Sequence, residues 1–335
     1  MTAALRVGVI GTGALGYHHL RHLRTLDVAA VCGFHESDAA RAAKVAQELG
    51  VPAAASLDAL LDGVDAVSIA VPTPAHFAVA RAALERGKHV LIEKPITTTL
   101  AEADELLALA AAKGALVQIG HIERFNRAIR AAWPYVDRPL FIESERLAPF
   151  NPRGSDVAVV LDLMIHDIDL VLTLTQAKVT QVSAAGVGVL TPSVDIADAR
   201  VAFANGAIAN ITASRISRER TRKLRLFQRN GYMTLDLAAG NGELFRLRGD
   251  VDVAVLAQQA QPDVSAFVER IPLEAPDGDA LRLELESFVA AARGEAPVPV
   301  TGADGRDALD VALRIVAEIE RSRAAMTGAA HGTRA

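Results

Sequence analysis

Lys94 has the surroundings that a reactive amine requires. It follows an apolar strand predicted over residues 89–92, with Glu93 before it and Pro95 after it. A charged pair at the end of a buried strand is costly unless something uses it, and ligands of open α/β sheets bind at the carboxyl ends of the strands. The alternative is a strand end whose two charges turn toward water. The pattern makes Lys94 the first candidate for chemistry.

A second candidate group lies on a helix predicted over residues 159–170, where Asp162, His166 and Asp169 interrupt an apolar run. Spacings of four and three place them on one helical face. Taken alone, His166 fits a hydrogen-bonded core histidine, a metal ligand with the two aspartates, or a base that works with Lys94. No other His or Cys cluster lies nearby in sequence, so we predict no metal.

These groups need elements to position them, and the first is a strand over residues 5–10 followed at once by a glycine-rich loop. The loop residues are Gly11, Thr12, Gly13, Ala14, Leu15 and Gly16. In this context the first glycine permits a tight turn, the second lets backbone approach a pyrophosphate, and the third lets a helix over 15–26 pack closely. We predict a dinucleotide site at that helix N-terminus.

The residue after the second strand, predicted over 28–34, bears on the choice of cofactor. Dinucleotide folds place an acidic residue there, on the adenosine ribose. The pattern predicts Gly33 at that position, with Glu36 three residues later and Arg41 one helical turn beyond. We predict NAD through Glu36, while the room beside Gly33 does not exclude NADP.

Strands and helices alternate up to residue 120, which predicts a doubly wound parallel sheet of the Rossmann type over residues 1–120. Between strand and helix, Pro72, Thr73 and His76 belong to a proline-stiffened turn at the edge that carries the glycine loop. Thr73 is expected to cap the next helix, and the turn to wall the nicotinamide. Besides the glycine loop and Glu36, the predicted cofactor contacts are Pro72, Thr73, His76, Glu93 and Lys94.

Residues 121–327 have a different pattern, with alternating strands and Asn-Gly pairs at 205–206 and 230–231 that predict type I′ hairpins. This gives an α/β protein whose second, α+β domain has a large, mainly antiparallel sheet. One broad face of such a sheet needs a cover, which predicts a homo-oligomer, dimer or tetramer. Helices are expected over 281–292 and 305–323, and a loose tail over 328–335.

The net charge, the apolar runs and the cysteine count narrow the class of protein further. The 335 residues carry a net charge of −5 with a pI near 6.0, so no general basic field favours nucleic acid or an acidic membrane. No uncharged apolar run approaches the ~20 residues of a spanning helix. The single cysteine, Cys32, suits a reducing compartment. We expect a cytoplasmic protein.

The sequence resembles the Gfo/Idh/MocA dehydrogenase family from about residue 7 to 322. The resemblance rests on GVIGTGALG at 8–16, PTPAHF at 72–77, GKHVLIEKP at 87–95 and DLMIHDID at 162–169. It implies that Lys94, Asp162 and His166 are the catalytic set of an NAD(P)-dependent sugar dehydrogenase, and that Pro95 is cis. Such an oxidation needs a base for the hydroxyl proton besides the hydride acceptor.

Within the family, the segments 120–126 and 149–153 look like the branch that oxidises C3 of UDP-N-acetylglucosamine in amino-sugar and lipid A synthesis. By this resemblance Arg124, Asn126 and Arg153 would contact the substrate, although Arg124 is equally suited to an ion pair. Arg127 stands where the branch commonly has proline. The alternatives are a dehydrogenase of a free polyol or aldose and a non-catalytic dinucleotide sensor, which would not need all three catalytic residues.

Overall fold

The computed structural model describes residues 4–151, 157–229, 231–249 and 267–332, with side chains described up to residue 324. The chain forms two compact units, residues 1–125 with 278–310, and residues 126–277 with the chain from 311 onward. The sequence predicted a single boundary near residue 120. The division differs because a C-terminal segment returns to the first unit.

The first unit contains a five-stranded parallel sheet in the order β2-β1-β3-β4-β5. Its strands are β1 (Leu5–Ile10), β2 (Ala29–His35), β3 (Ala66–Ile69), β4 (His89–Glu93) and β5 (Val117–Gly120). The strand order reverses between β1 and β3, which is where doubly wound sheets bind ligands. The predicted parallel sheet is confirmed.

The helices between these strands are α1 (Ala14–Leu23), α2 (Ala39–Leu49), α3 (Leu57–Asp62), α4 (His76–Glu85) and α5 (Leu100–Lys113). A capping box begins α5, with reciprocal bonds between Thr99 and Glu102. Thr73, however, does not cap α4. It begins a 3-10 turn over Thr73–Ala75, and the α4 N-terminus has no side-chain cap.

A later helix, α8 (Ala280–Ala292), completes the core of the first unit. Its buried Leu285 and Phe288 belong to the hydrophobic cluster that contains Leu20 and Leu23 of α1. Burying such side chains contributes about 1.5–3 kcal/mol each. This packing explains why the unit includes residues far along the chain.

The second unit is built on an eight-stranded sheet in the order β13-β12-β11-β10-β6-β9-β8-β7. Its strands are β6 (Phe141–Leu147), β7 (Val179–Val187), β8 (Ile196–Phe203), β9 (Ile208–Ser214), β10 (Thr221–Gln228), β11 (Gly231–Asp236), β12 (Asn241–Leu247) and β13 (Val268–Leu273). Only the β6–β9 pair is parallel among these strands, so the sheet is mainly antiparallel, as predicted. The predicted β8–β9 hairpin is present, but its turn is not type I′, because Gly206 has φ +84° whereas Asn205 does not have a positive φ. The Gly206 N–H donates instead to the Phe203 carbonyl oxygen at 3.0 Å. Asn230 of the other hairpin lies outside the described residues.

The helices of the second unit include α6 (Arg127–Ala132) and α7 (Ile165–Thr175). A π-helical turn over Val160–Met164 precedes α7, where the sequence predicted regular helix. The last helix, α9, runs from Gly302 to Gly332 and passes from the first unit into the second, so the predicted tail is helical over most of its length. In the described part of the chain no helix is both long and apolar enough to cross a bilayer.

Candidate dinucleotide and catalytic site

The glycine loop has the close backbone packing that its sequence predicts. Gly11 adopts φ +82°, and a Cβ on Gly16 would lie 1.9 Å from the Gly11 carbonyl oxygen. At Gly13 the space is open, since a Cβ would meet no described atom closer than 3.8 Å. Leu15 is 41% exposed on the first turn of α1. An open second glycine beside a helix N-terminus fits a dinucleotide pyrophosphate.

A cavity of about 700 Å³ lies over this loop. All the predicted cofactor residues line it except Thr12 and Gly16, which form its buried support. The lining therefore combines the glycine loop, the end of β2, the turn after β3 and the end of β4. These carboxyl strand ends are where the strand order predicts a ligand.

Glu36 directly follows β2, which corrects the interpretation of Gly33 as the acidic position. The strand continues to His35, and Gly33 lies inside it opposite Gly8. The Glu36 carboxylate accepts the Thr12 N–H at 2.8 Å and the Asp38 N–H at 3.1 Å. Burial raises the pKa of Glu36, but the backbone bonds from Asp38 and Thr12 outweigh it and hold the pKa below its usual range.

Arg41 stands beside this carboxylate. Its Nη1 lies 4.0 Å from Glu36 Oε2, and its side chain is 49% exposed. The same nitrogen lies 3.8 Å from the Cβ position of Gly13. The ribose end of the cavity therefore presents an acceptor for a 2′-hydroxyl and, next to it, a cation that could face a 2′-phosphate.

His76 connects the two turns at the other end of the cavity. Its Nδ1 lies 2.8 Å from the Pro95 carbonyl oxygen and its Nε2 2.9 Å from the Val71 carbonyl oxygen. Burial lowers the pKa of His76, against the two carbonyl acceptors, which favour the imidazolium. With both ring nitrogens at backbone carbonyls, His76 supports the wall of the cavity. Pro95 follows a cis peptide bond, as the family resemblance implies.

Glu93 ends β4 and is 8% exposed. Its Oε1 lies 3.1 Å from His19 Nε2, and its Oε2 accepts the Lys94 backbone N–H at 3.2 Å. Burial raises the pKa of Glu93, but the contact with His19 and the charge of Lys94 outweigh it, so the net pKa lies below its usual range. The carboxylate is therefore ionised at neutral pH.

Two residues near Glu93 were not predicted from the sequence, His19 of α1 and Glu284 of α8. Both are fully buried. Ligand-type atoms of His19, Glu93 and Glu284 lie within 4.8 Å of one another, the one such group among the described residues. Asp162, His166 and Asp169 do not converge in that way. A polar residue on the buried face of α1, between Gly16 and Leu20, was the available signal for His19.

The second unit carries Asp162 in the π-helical turn and His166 in the first turn of α7, both half-buried. Between Asp162 and His166 the helix therefore changes from π-helical to α-helical geometry. Short π-helical segments of this kind are frequent at functional sites. The next residue, Asp167, is 1% exposed and pairs with Arg146 of β6, whose Nε lies 2.5 Å from Asp167 Oδ2. This buried pair attaches α7 to the sheet beside His166.

The predicted substrate residues have observed structural partners. Arg124 donates to the Pro299 carbonyl oxygen at 3.2 Å, and its Nη2 lies 3.5 Å from Asp304, so the ion-pair alternative is realised. Asn126 caps α6, and its Nδ2 donates to the Leu237 carbonyl oxygen at 2.8 Å. Arg127 occupies the first position of α6, where proline is also favoured, so the replacement keeps the helix start. Arg153 lies outside the described residues.

The fold and the glycine-loop site define a nicotinamide-dinucleotide-binding oxidoreductase. The family described as "Oxidoreductase family, NAD-binding Rossmann fold" matches residues 5–121, and the "GFO/IDH/MocA C-terminal domain" matches residues 116–234. The chain belongs to the Gfo/Idh/MocA family.

Two curated relatives show different degrees of similarity to this chain. The chain is 39% identical to the UDP-N-acetylglucosamine 3-dehydrogenase of Acidithiobacillus ferrooxidans, over 94% of this chain and 97% of that protein. The solved structure of that enzyme superposes with a TM-score of 0.86 at 38% identity, covering 96% of this chain and 99% of the other. The scyllo-inositol 2-dehydrogenase (NAD(+)) of Bacillus subtilis is 31% identical over 65% of this chain and 69% of its own length.

Proposed function

We propose that this protein is an NAD-dependent dehydrogenase that oxidises C3 of UDP-N-acetylglucosamine. The observation that carries the proposal is the match to the Acidithiobacillus enzyme, which extends over 97% of that protein at 39% identity. The inositol dehydrogenase match covers 69% of that relative, and nothing in the described site is specific to a free polyol. Production of a 3-keto sugar nucleotide would suit a role in amino-sugar and lipid A synthesis in the cytoplasm.

The proposed catalytic set is Lys94, Asp162 and His166. When bound, the nicotinamide supplies the hydride acceptor. His166 takes the proton of the reacting hydroxyl, and Lys94 stabilises the negative charge that develops on its oxygen. Asp162 orients the imidazole and balances the charge of the lysine. Arg124, Asn126 and Arg153 remain the proposed substrate contacts, and the observed partners of the first two orient their side chains.

We also propose a homo-oligomer that uses the large sheet. Phe141, Phe227, Tyr232 and Phe245 form a continuous row of ring contacts across it, with centroid separations of 4.9–5.8 Å. All four are only half-buried in the single chain, and a partner subunit would cover them. Light scattering after size exclusion tests this directly, since a monomer at micromolar concentration would contradict it.

The deciding experiment follows reduced-cofactor absorbance with NAD or NADP and five substrates: UDP-N-acetylglucosamine, its uronic acid, free N-acetylglucosamine, glucose and myo-inositol. A carbonyl trap is included because formation of the ketone can be thermodynamically uphill. A signal with UDP-N-acetylglucosamine alone supports the proposal. A signal with inositol or a free sugar keeps the catalytic set and rejects the sugar-nucleotide assignment, whereas silence throughout supports a dinucleotide sensor.

A further inference from the structure

His19 of α1 contacts two side chains of the parallel sheet, Ser68 of β3 and Glu93 at the end of β4. It is fully buried on α1, three residues after the glycine loop. Its Nδ1 lies 2.7 Å from the Ser68 hydroxyl of β3, and its Nε2 lies 3.1 Å from the Glu93 carboxylate. The contact with Ser68 orients the imidazole and places Nε2 beside the Glu93 carboxylate, at ion-pair distance although not in hydrogen-bond geometry.

Glu93 is held equally tightly on its other sides. A Cβ on Gly120 would lie 2.9 Å from both carboxylate oxygens, so the carboxylate packs against bare backbone. The oxygen that does not face His19 accepts the Lys94 backbone N–H. A chain of contacts thus runs from α1 through one carboxylate to the main chain of Lys94.

The surrounding charges make this contact costly to lose. Glu284 of α8 places a second carboxylate within 4.8 Å of the pair, and Lys94 and His76 are the other ionisable groups that act on Glu93. Two buried carboxylates this close cannot both be ionised without a compensating proton. The His19 ring lies within 4.8 Å of both carboxylates, so its loss would leave two buried acidic groups facing each other without this basic neighbour.

We propose that His19 is a positioning residue for catalysis, which holds the Glu93 carboxylate and thereby fixes the main chain that carries Lys94. The proposal rests on the catalytic role of Lys94 in the proposed function. His19 itself does not line the cavity, whereas its partner Glu93 does, so His19 acts on the site through Glu93.

The test compares His19→Gln, which keeps a polar side chain of similar length but removes the imidazole, with His18→Gln, the exposed neighbour on the same helix. We expect His19→Gln to lower kcat about ten- to a hundred-fold while the NADH dissociation constant changes less than about three-fold. Glu93→Gln should have a similar effect, and the double variant should lose little more, since the two act in one chain. His18→Gln should match the wild type.

Lysine NMR provides a readout that needs no substrate. The chain has six lysines, so ¹³C-dimethylation gives a sparse spectrum in which Lys94→Arg assigns the Lys94 signal. In His19→Gln that signal should shift while the other five stay in place. Shifts at all lysines would indicate general loss of structure and overturn the proposal, as would an unchanged Lys94 signal with unchanged kcat. If His19→Gln does not fold, Ser68→Ala serves as the second variant, with a smaller shift of the same signal expected.

Two further outcomes remain distinguishable. If the wild type is inactive on UDP-N-acetylglucosamine, the proposed substrate fails, yet the lysine spectra still decide whether His19 positions Lys94.

Elemental analysis of the purified protein tests whether His19 instead binds a metal ion. About one transition metal ion per chain, lost in His19→Gln, would make His19, Glu93 and Glu284 ligands and overturn the positioning role.

Discussion

The Glu36 carboxylate accepts both the backbone N–H of Thr12, at 2.8 Å, and its hydroxyl, at 3.1 Å. The residue that would select the ribose is therefore part of the glycine loop's own hydrogen-bond network. Its negative charge faces a 2′-hydroxyl favourably and a 2′-phosphate unfavourably. Arg41, beside it, has the opposite preference.

We therefore expect Glu36→Ala to narrow the preference for NAD over NADP by about ten-fold or more in kcat/KM. Arg41→Ala should have the opposite effect and lower whatever activity NADP supports. Steady-state kinetics with both cofactors test the two variants together. An unchanged NAD/NADP ratio in Glu36→Ala would remove that residue from cofactor selection.

Alanine in place of Lys94 or His166 tests the catalytic set. Each should lower kcat by about 10²–10⁴-fold, because general base and electrostatic contributions are of this size. NADH affinity, measured by fluorescence titration, should change only a few-fold. Lys44→Ala is the matched control, since Lys44 is 73% exposed on α2. Full activity in either variant would refute its assignment.

Gly16→Ala tests the close packing of the glycine loop. The new Cβ would lie 1.9 Å from the Gly11 carbonyl oxygen, so loop and helix must separate. We expect loss of NADH binding and a stability decrease of about 1–3 kcal/mol. Gly63→Ala is the control, because its Cβ would meet nothing closer than 3.6 Å. Urea unfolding and NADH titration of both variants measure the difference, and retained binding in Gly16→Ala would contradict it.

Much of the site could be predicted because its signals are local. The strand, glycine loop and helix at 5–23 are contiguous, and Lys94 directly follows a buried strand. The partners of His19 could not be predicted, since Ser68 and Glu93 are 49 and more residues away and meet it only when β3 and β4 join the sheet. A histidine on the buried face of a helix can be recognised from the sequence pattern, but the residues that it contacts cannot.

The end of strand β2 and the π-helical turn before α7 could not be predicted from the sequence for a different reason. The end of β2 is set by its pairing with β1, where Ile10 lies opposite His35, and this placed Glu36 rather than Gly33 at the strand end. The π-helical turn before α7 depends on tertiary contacts such as the Val159 N–H to the Val194 carbonyl oxygen. Local propensity does not encode either feature.

The buried pair of Arg146 and Asp167 should be essential to the second unit. Both side chains are 2% exposed, so truncating one leaves a buried charge without compensation. We expect Arg146→Met to destabilise the protein by about 3–5 kcal/mol. The control, Arg225→Ala, breaks an ion pair between β10 and β6 whose members are 48% and 40% exposed, and should cost less than about 1 kcal/mol. Equal melting temperatures for the two variants would refute the distinction.

Asp195 gives the fold a defined pH dependence. Burial raises the pKa of its carboxyl, but hydrogen bonds from the Thr191 hydroxyl and from the backbone of Thr191, Val189 and Leu190 outweigh burial and lower the pKa to about 2. Because the folded-state pKa is depressed, the stabilisation is present above the unfolded value near 3.8 and is lost as pH falls toward 2.

Asp195→Asn should therefore reduce stability by about 2 kcal/mol at pH 7, since an amide cannot replace the ionised acceptor. The difference from the wild type should shrink as pH falls from 4 toward 2, where the wild-type carboxyl also becomes protonated. Urea unfolding of both proteins between pH 3 and 7 measures this. Asp198→Asn, on the exposed side of β8, is the control and should follow the wild type. A stability difference for Asp195→Asn that stays constant with pH would show that its carboxylate charge does not hold the 189–191 loop.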